Sequence, residues 1–176
     1  MRVFFACLPP ADCLPRLAQW QDAMHVLAGG RKLPLPQLHL TLAFLGEVGP
    51  LALQRAADCA EQAAASLPDS LLLDSCGSWD SGIGWCGPAR SDAALQAWVY
   101  RLRRALRLEG LAVENRPYQP HLTLLRKLQQ ALPPQPPQPV PLLRLELREV
   151  ALIASSRRAD GAGHLRLDGW RRAPGS

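Results

Sequence analysis

The tetrapeptide His-Leu-Thr-Leu occurs twice, at residues 39–42 and 121–124, and no other feature restricts the possible folds as much. Its alternation of polar and apolar side chains suits a strand with one wet face and one buried face. In such a strand His39 and Thr41 share a face, as do His121 and Thr123, while the leucines point into a core. Thr41 and Thr123 are also the only threonines among 176 residues, and there are four histidines. Chance would put both threonines two places after a histidine about four times in ten thousand, far below the background of an ordinary short motif. Two such strands facing each other would make a cleft with two imidazoles and two hydroxyls, backed by apolar residues.

Strand and helix patterns alternate around the motifs. Residues 3–8 read as a buried strand, and Leu14, Leu17, Trp20/Gln21 and Met24 recur at helical spacing within residues 11–27. Gly29-Gly30-Arg31-Lys32 closes that helix, and a proline-bearing stretch leads into a motif strand over 39–45 that Gly46 is expected to end. Pro50 opens a second helix with Leu53, Ala56, Ala60 and Leu67 on one side. Segments 71–79 and 83–86, around Asp80-Ser81-Gly82, suggest a hairpin. Ser91-Asp92 starts a third helix with its apolar stripe at Leu95, Trp98/Val99, Leu102 and Leu106. Arg101, Arg103, Arg104 and Arg107 are expected on its solvated face, with an RNA-facing surface as the alternative. The second motif strand spans 121–125. Residues 132–141 hold six prolines and read as an exposed loop. Leu143, Leu145 and Leu147 alternate as a strand, 150–154 reads as another, and a short strand near 165–167 closes a duplicated α+β arrangement. Outside the motifs no internal repeat is visible.

Hydrophobic residues make up 48% and charged residues 20% of the chain, which fits one globular domain over residues 1–176. No apolar run is long enough for a bilayer, so no membrane association is expected. The apolar start is too short for a signal sequence and meets Pro9-Pro10 early, which makes the cytoplasm the expected location. Five cysteines without CxxC spacing are expected to be reduced thiols. The net charge of +5, nearly all arginine, favours anionic partners such as phosphate or RNA.

Two imidazoles titrating near neutrality can act as base and acid on one phosphodiester, one activating a nucleophile and the other protonating the leaving oxygen. Thr41 and Thr123 can donate to non-bridging oxygens, and Arg126 or Lys127 can meet the charge. No metal or cofactor is required. A metal site is the rival use of the histidines, but no acidic residue flanks either motif and H-E-x-x-H is absent. Strict alternation makes two further demands. Arg126 points away from the cleft unless the strand ends or bulges near Leu125, and Phe44 falls on the leucine face, where packing is expected.

Residues 38–46 and 116–127 closely resemble the two signatures of the two-histidine (2H) phosphoesterases. Within that superfamily the chain is similar to the bacterial RNA 2',3'-cyclic phosphodiesterases, historically called 2'-5' RNA ligases, over nearly its whole length. The resemblance implies a bilobal, pseudo-symmetric α+β fold, with two antiparallel sheets lining a central cleft and helices packed outside. It implies that His39 protonates the departing 3' oxygen and His121 activates water, leaving a 2'-phosphate on RNA. Thr41, Thr123 and Arg126 would hold the phosphate, and Phe44 and Tyr118 are candidates for base stacking. His164 stands where relatives are expected to carry a tyrosine. A cofactor-free monomer is expected. The alternatives are 2'-5' ligation through the same site, or an RNA-end binding module whose histidines only recognise phosphate.

Overall fold

In the computed structural model, which describes residues 2–133, 141–158 and 161–174, the apolar opening segment forms strand β1 (Arg2–Cys7). Alternation divides its side chains between two faces. Val3, Phe5 and Cys7 enter the main core, and Phe4 and Ala6 join Ala151 and Ile153 in a smaller apolar cluster. Helix α1 (Leu14–Ala28) follows a short 3-10 turn and buries Leu17, Trp20, Gln21 and Met24, the spacing of one helical face. Next comes the two-residue strand β2 (Arg31–Lys32), laid against the second motif strand. That approach requires glycine at position 30, where φ is +89° and a Cβ would meet the Arg126 carbonyl oxygen at 2.8 Å.

The first motif lies on β3 (Leu40–Glu47), followed by α2 (Pro50–Ala64), β4 (Ser70–Leu73), β5 (Ser75–Trp79) and β6 (Ile83–Gly87). Helix α3 (Ala93–Leu108) starts at Asp92, whose carboxylate accepts the Leu95 N–H at 2.9 Å. The second motif lies on β7 (Leu122–Arg126), and β8 (Leu143–Glu146), β9 (Glu149–Arg158) and β10 (Gly161–Arg171) complete the chain. The larger antiparallel sheet runs β10-β9-β1-β3-β7-β6-β5, with β2 beside β7, and β4 pairs with β8 in a second sheet. Its two halves meet where β3 pairs with β7 at one position, Leu40 opposite Leu122. The helices cover one face: α1 contacts β7, α3 contacts β3, and α2 packs on α3 and β9. This is the expected α+β architecture, with the motif strands at the join between the halves.

Three local expectations are corrected. Segment 71–79 is two strands, because Asp74 breaks it and accepts the Ala89 N–H at 2.6 Å; β4 then pairs with β8 rather than within the hairpin. Gly46 does not end β3 but sits inside it with φ +70°, next to a register shift that leaves Leu45 as an extra residue. The closing strand β10 is much longer than residues 165–167; none of its described side chains is fully buried, so no alternation of buried apolar residues marks its extent. Most of the proline-rich loop, residues 134–140, lies outside the described residues. Among those described, no helix is long and apolar enough to cross a membrane.

Candidate active site

The registers of β3 and β7 decide which side chains reach the cleft. Against β1, Phe5 pairs with Ala43 and Ala6 with Thr41, so Leu42 is an extra residue on β3. Against β6, Gly84 pairs with Leu125 and Trp85 with Thr123, so Leu124 is an extra residue on β7. The last leucine of the tetrapeptide is therefore a β-bulge in both copies. Two successive residues are buried at each bulge, Leu42-Ala43 and Leu124-Leu125, and alternation resumes one place late. That shift carries Phe44 and Arg126 onto the cleft wall. Phe44 is 47% exposed, which overturns the expected core packing, and Arg126 gains the bulge it needs. Lys127, at φ +55° beyond the end of β7, is not part of the wall.

Each bulge is held by a buried polar side chain from the helix behind it. The Leu42 carbonyl accepts from Arg103 Nε of α3 at 3.1 Å, and the Leu124 carbonyl accepts from Gln21 Nε2 of α1 at 2.9 Å. Gln21 Nε2 also donates to the Leu33 carbonyl at 2.9 Å. Arg103 is only 6% exposed, so it does not belong to the solvated face expected for it. Its guanidinium also reaches the Arg116 carbonyl at 3.2 Å and Glu114 Oε1 at 3.3 Å, and lies 5.1 Å from the Tyr118 ring centre. The Tyr118 hydroxyl donates to the Thr41 carbonyl at 2.9 Å. Arg103 and Tyr118 thus tie the approach to the second motif onto the strand that carries the first.

The two imidazoles are anchored alike. His39 Nδ1 lies 2.7 Å from the Gln37 carbonyl, and His121 Nδ1 lies 2.8 Å from the Gln119 carbonyl. A carbonyl only accepts, so Nδ1 carries a hydrogen in both rings and Nε2 remains available for proton exchange. Continuing the Leu40–Leu122 register sets His39 across from Thr123 and Thr41 across from His121. All four line a cleft of about 1340 Å³, together with Arg126, Phe44, Tyr118 and His164.

Aromatic rings flank both histidines. His39 meets Phe4 at 5.0 Å and the edge of His164 at 4.9 Å between ring centres, and His121 meets Trp79 edge-on at 4.5 Å. Burial holds the His39 imidazole down at about 4, against the Gln37 carbonyl, which favours its charged form; the charges of His164, His121 and Arg126 lower it further. Burial also lowers His121, opposed by the Gln119 carbonyl and assisted by Arg116. His164 is lowered by burial and by Arg126. Arg2, Arg31, Arg103, Arg116 and Arg126 line the cleft against Glu47 and Glu114, a balance that favours anions. Among the described residues, no group of three His, Cys, Asp or Glu side chains is placed to hold a metal ion. No disulfide joins the cysteines, and burial pushes the Cys7 thiol up to about 12, far from a reactive thiolate.

A model of the 2'-5' RNA ligase superfamily matches residues 9–159. The chain belongs to the 2'-5' RNA ligase superfamily. It is 33% identical over 137 residues to the RNA 2',3'-cyclic phosphodiesterase of Escherichia coli strain K12, covering 77% of each. It is 36% identical over 103 residues to a Geobacillus stearothermophilus protein of the same name, covering 56% of this chain and 32% of that one. Its fold matches E. coli LigT complexed with 3'-AMP at a TM-score of 0.82, with 30% identity over 98% of both chains. A second solved phosphoesterase matches at 0.81, with 30% identity and 98% coverage of both.

In this member of the 2'-5' RNA ligase superfamily, His39, Thr41, Phe44, Tyr118, His121, Thr123 and Arg126 all line one cleft, and Lys127 does not. The sequence reasoning missed the groups that hold them there. Arg103 lies four residues after Val99 and three before Leu106, the spacing of the buried stripe, and that was its available signal. Gln21 shares the buried face of α1, but nothing local marks it as the partner of a carbonyl in β7, 103 residues away. Phe4, Trp79 and Arg31 reach the cleft through sheet register alone, which a single sequence does not display.

Proposed function

We propose that the chain hydrolyses the 2',3'-cyclic phosphate end of RNA to a 2'-phosphomonoester, with His39 and His121 as acid and base. The observation that carries this reading is the matched pair of bulged strands, each offering an imidazole with Nδ1 locked to a carbonyl and Nε2 available, beside a hydroxyl. Two relatives named for this activity support the substrate class.

In the step proposed, His121 Nε2 takes a proton from water as the water oxygen bonds to phosphorus. The bond from phosphorus to O3' breaks, and His39 delivers a proton to that oxygen. Thr41 and Thr123 donate to the non-bridging oxygens, and Arg126 offsets the charge that builds there. His39 is neutral in the empty cleft, and the anionic phosphodiester favours its protonation. Phe44, 5.5 Å from Phe4 between ring centres, offers a face for the base. Tyr118, with its hydroxyl engaged by Thr41, acts as a brace.

The test is incubation with a 2',3'-cyclic nucleotide and with an oligonucleotide carrying that end, in the presence of EDTA. Turnover to a 2'-phosphate is expected on both. No turnover on either would refute the reading, and joining that outpaces hydrolysis at equal RNA concentration would replace it with ligation.

A further inference from the structure

Arg31 and Arg126 are directly opposed residues of the antiparallel pair between β2 and β7. Residues so opposed project from the same face, and like charges in that position repel. Both are exposed, and both line the cleft. Three other cations of the region have carboxylates: Lys32 meets Asp22 at 2.7 Å, and Glu114 serves Arg103 at 3.3 Å and Arg116 at 2.7 Å. Among the described residues, neither Arg31 nor Arg126 is in an ion pair. The fold nonetheless forces the two together. Gly30 permits β2 to approach within a distance no Cβ would allow, and the Leu33 N–H fastens the segment to the Leu124 carbonyl at 3.0 Å. The charge of Arg126 is felt by His39 and His164, and that of Arg116 by His121, which sets the arginine pair at the His39 end of the cleft.

A repulsive pair built into a cleft wall is stabilised by anions bound at its members. We propose that Arg31 forms a second anion subsite beside Arg126: Arg126 serves the cyclic phosphate, and Arg31, directly opposite it, takes the phosphate on O5' of the same nucleotide, so that each guanidinium of the pair faces its own anion. The subsite rests on the reading of the cleft as a cyclic phosphodiester site. The histidines engage the phosphate at the 2' and 3' oxygens, and the rest of an RNA strand leaves that nucleotide through O5'. Guanidinium groups suit this ligand, because their planar forks match two phosphate oxygens at once. The shared chemistry is a phosphate on O5', which is an internucleotide diester in RNA and a terminal monoester in a free nucleotide.

Three substrates test the subsite: adenosine 2',3'-cyclic phosphate with a free 5'-hydroxyl, its 5'-phosphorylated form, and the ApA dinucleotide with a 2',3'-cyclic end. For the wild-type enzyme, kcat/KM is expected to rise by roughly tenfold or more from the first to the dinucleotide, the scale of one charge-assisted hydrogen bond. Arg31→Gln is expected to abolish that gain while leaving the 5'-hydroxyl substrate within about twofold of wild type. An equal gain on the 5'-phosphorylated mononucleotide assigns the subsite to any O5' phosphate, and a gain confined to the dinucleotide assigns it to RNA. A wild-type enzyme without the gain, a gain that survives R31Q, or an equal loss on all three substrates overturns the subsite. Absence of wild-type turnover on all three overturns the cyclic phosphodiester reading itself, a distinct result.

Discussion

His39 sits on a carbonyl that favours its charged form and within a wall that disfavours it, and burial wins. The ring is held at about 4, and His121 is also lowered from 6.5. A general acid must carry its proton into the reaction, and a depressed imidazole carries one only toward low pH. The free enzyme, reported by kcat/KM, is therefore expected to be most active on the acid side of 6.5, with activity falling as pH rises past both groups. In the substrate complex the anionic phosphodiester favours the imidazolium, so the kcat profile is expected to peak at higher pH than the kcat/KM profile. Measuring both profiles checks this; a kcat/KM optimum above pH 8 would show that burial does not govern these rings.

Among the elements, β3 and β7 do most to make the site, and their bulges are what the flanking helices hold. Replacing Arg103 with Met leaves the Leu42 and Arg116 carbonyls without their donor and takes from Glu114 one of its two guanidinium partners, Arg116 remaining at 2.7 Å. The expected loss is about 2–4 kcal/mol of stability in urea denaturation. Gln21→Leu removes donors from the Leu33 and Leu124 carbonyls and is expected to cost about 1–3 kcal/mol. If either variant were as stable as wild type, the bulges would not depend on these side chains. The helices were legible in the sequence because their apolar stripes recur locally, and the motif strands because His-Leu-Thr-Leu alternates. The bulges were not, since they depend on pairing with β1 and β6 and on helices distant in sequence. For that reason alternation misdirected Phe44, and Arg126 could be assigned only on condition of a break. Asp74 likewise divides a run that reads as one strand, because its partners are the Gly87 carbonyl and the Ala89 N–H across the turn.

At the level of the whole molecule, two halves of one sheet meet at Leu40 and Leu122, and the motif histidines lie immediately before that join on either side. The duplication visible in eight residues of sequence extends to bulge position, to carbonyl-locked imidazoles and to a helix-borne donor behind each strand. Different side chains, Arg103 and Gln21, perform the same task in the two halves. The central claim is that both imidazoles act on one phosphorus, and it is tested most directly by 31P NMR of a 2',3'-cyclic nucleotide incubated with wild type, His39→Ala and His121→Ala. A 2'-phosphomonoester is expected from the wild-type enzyme, with the rate lowered at least roughly a hundredfold in each variant. Near-wild-type turnover in either variant, or a 3'-phosphate as the product, would contradict it.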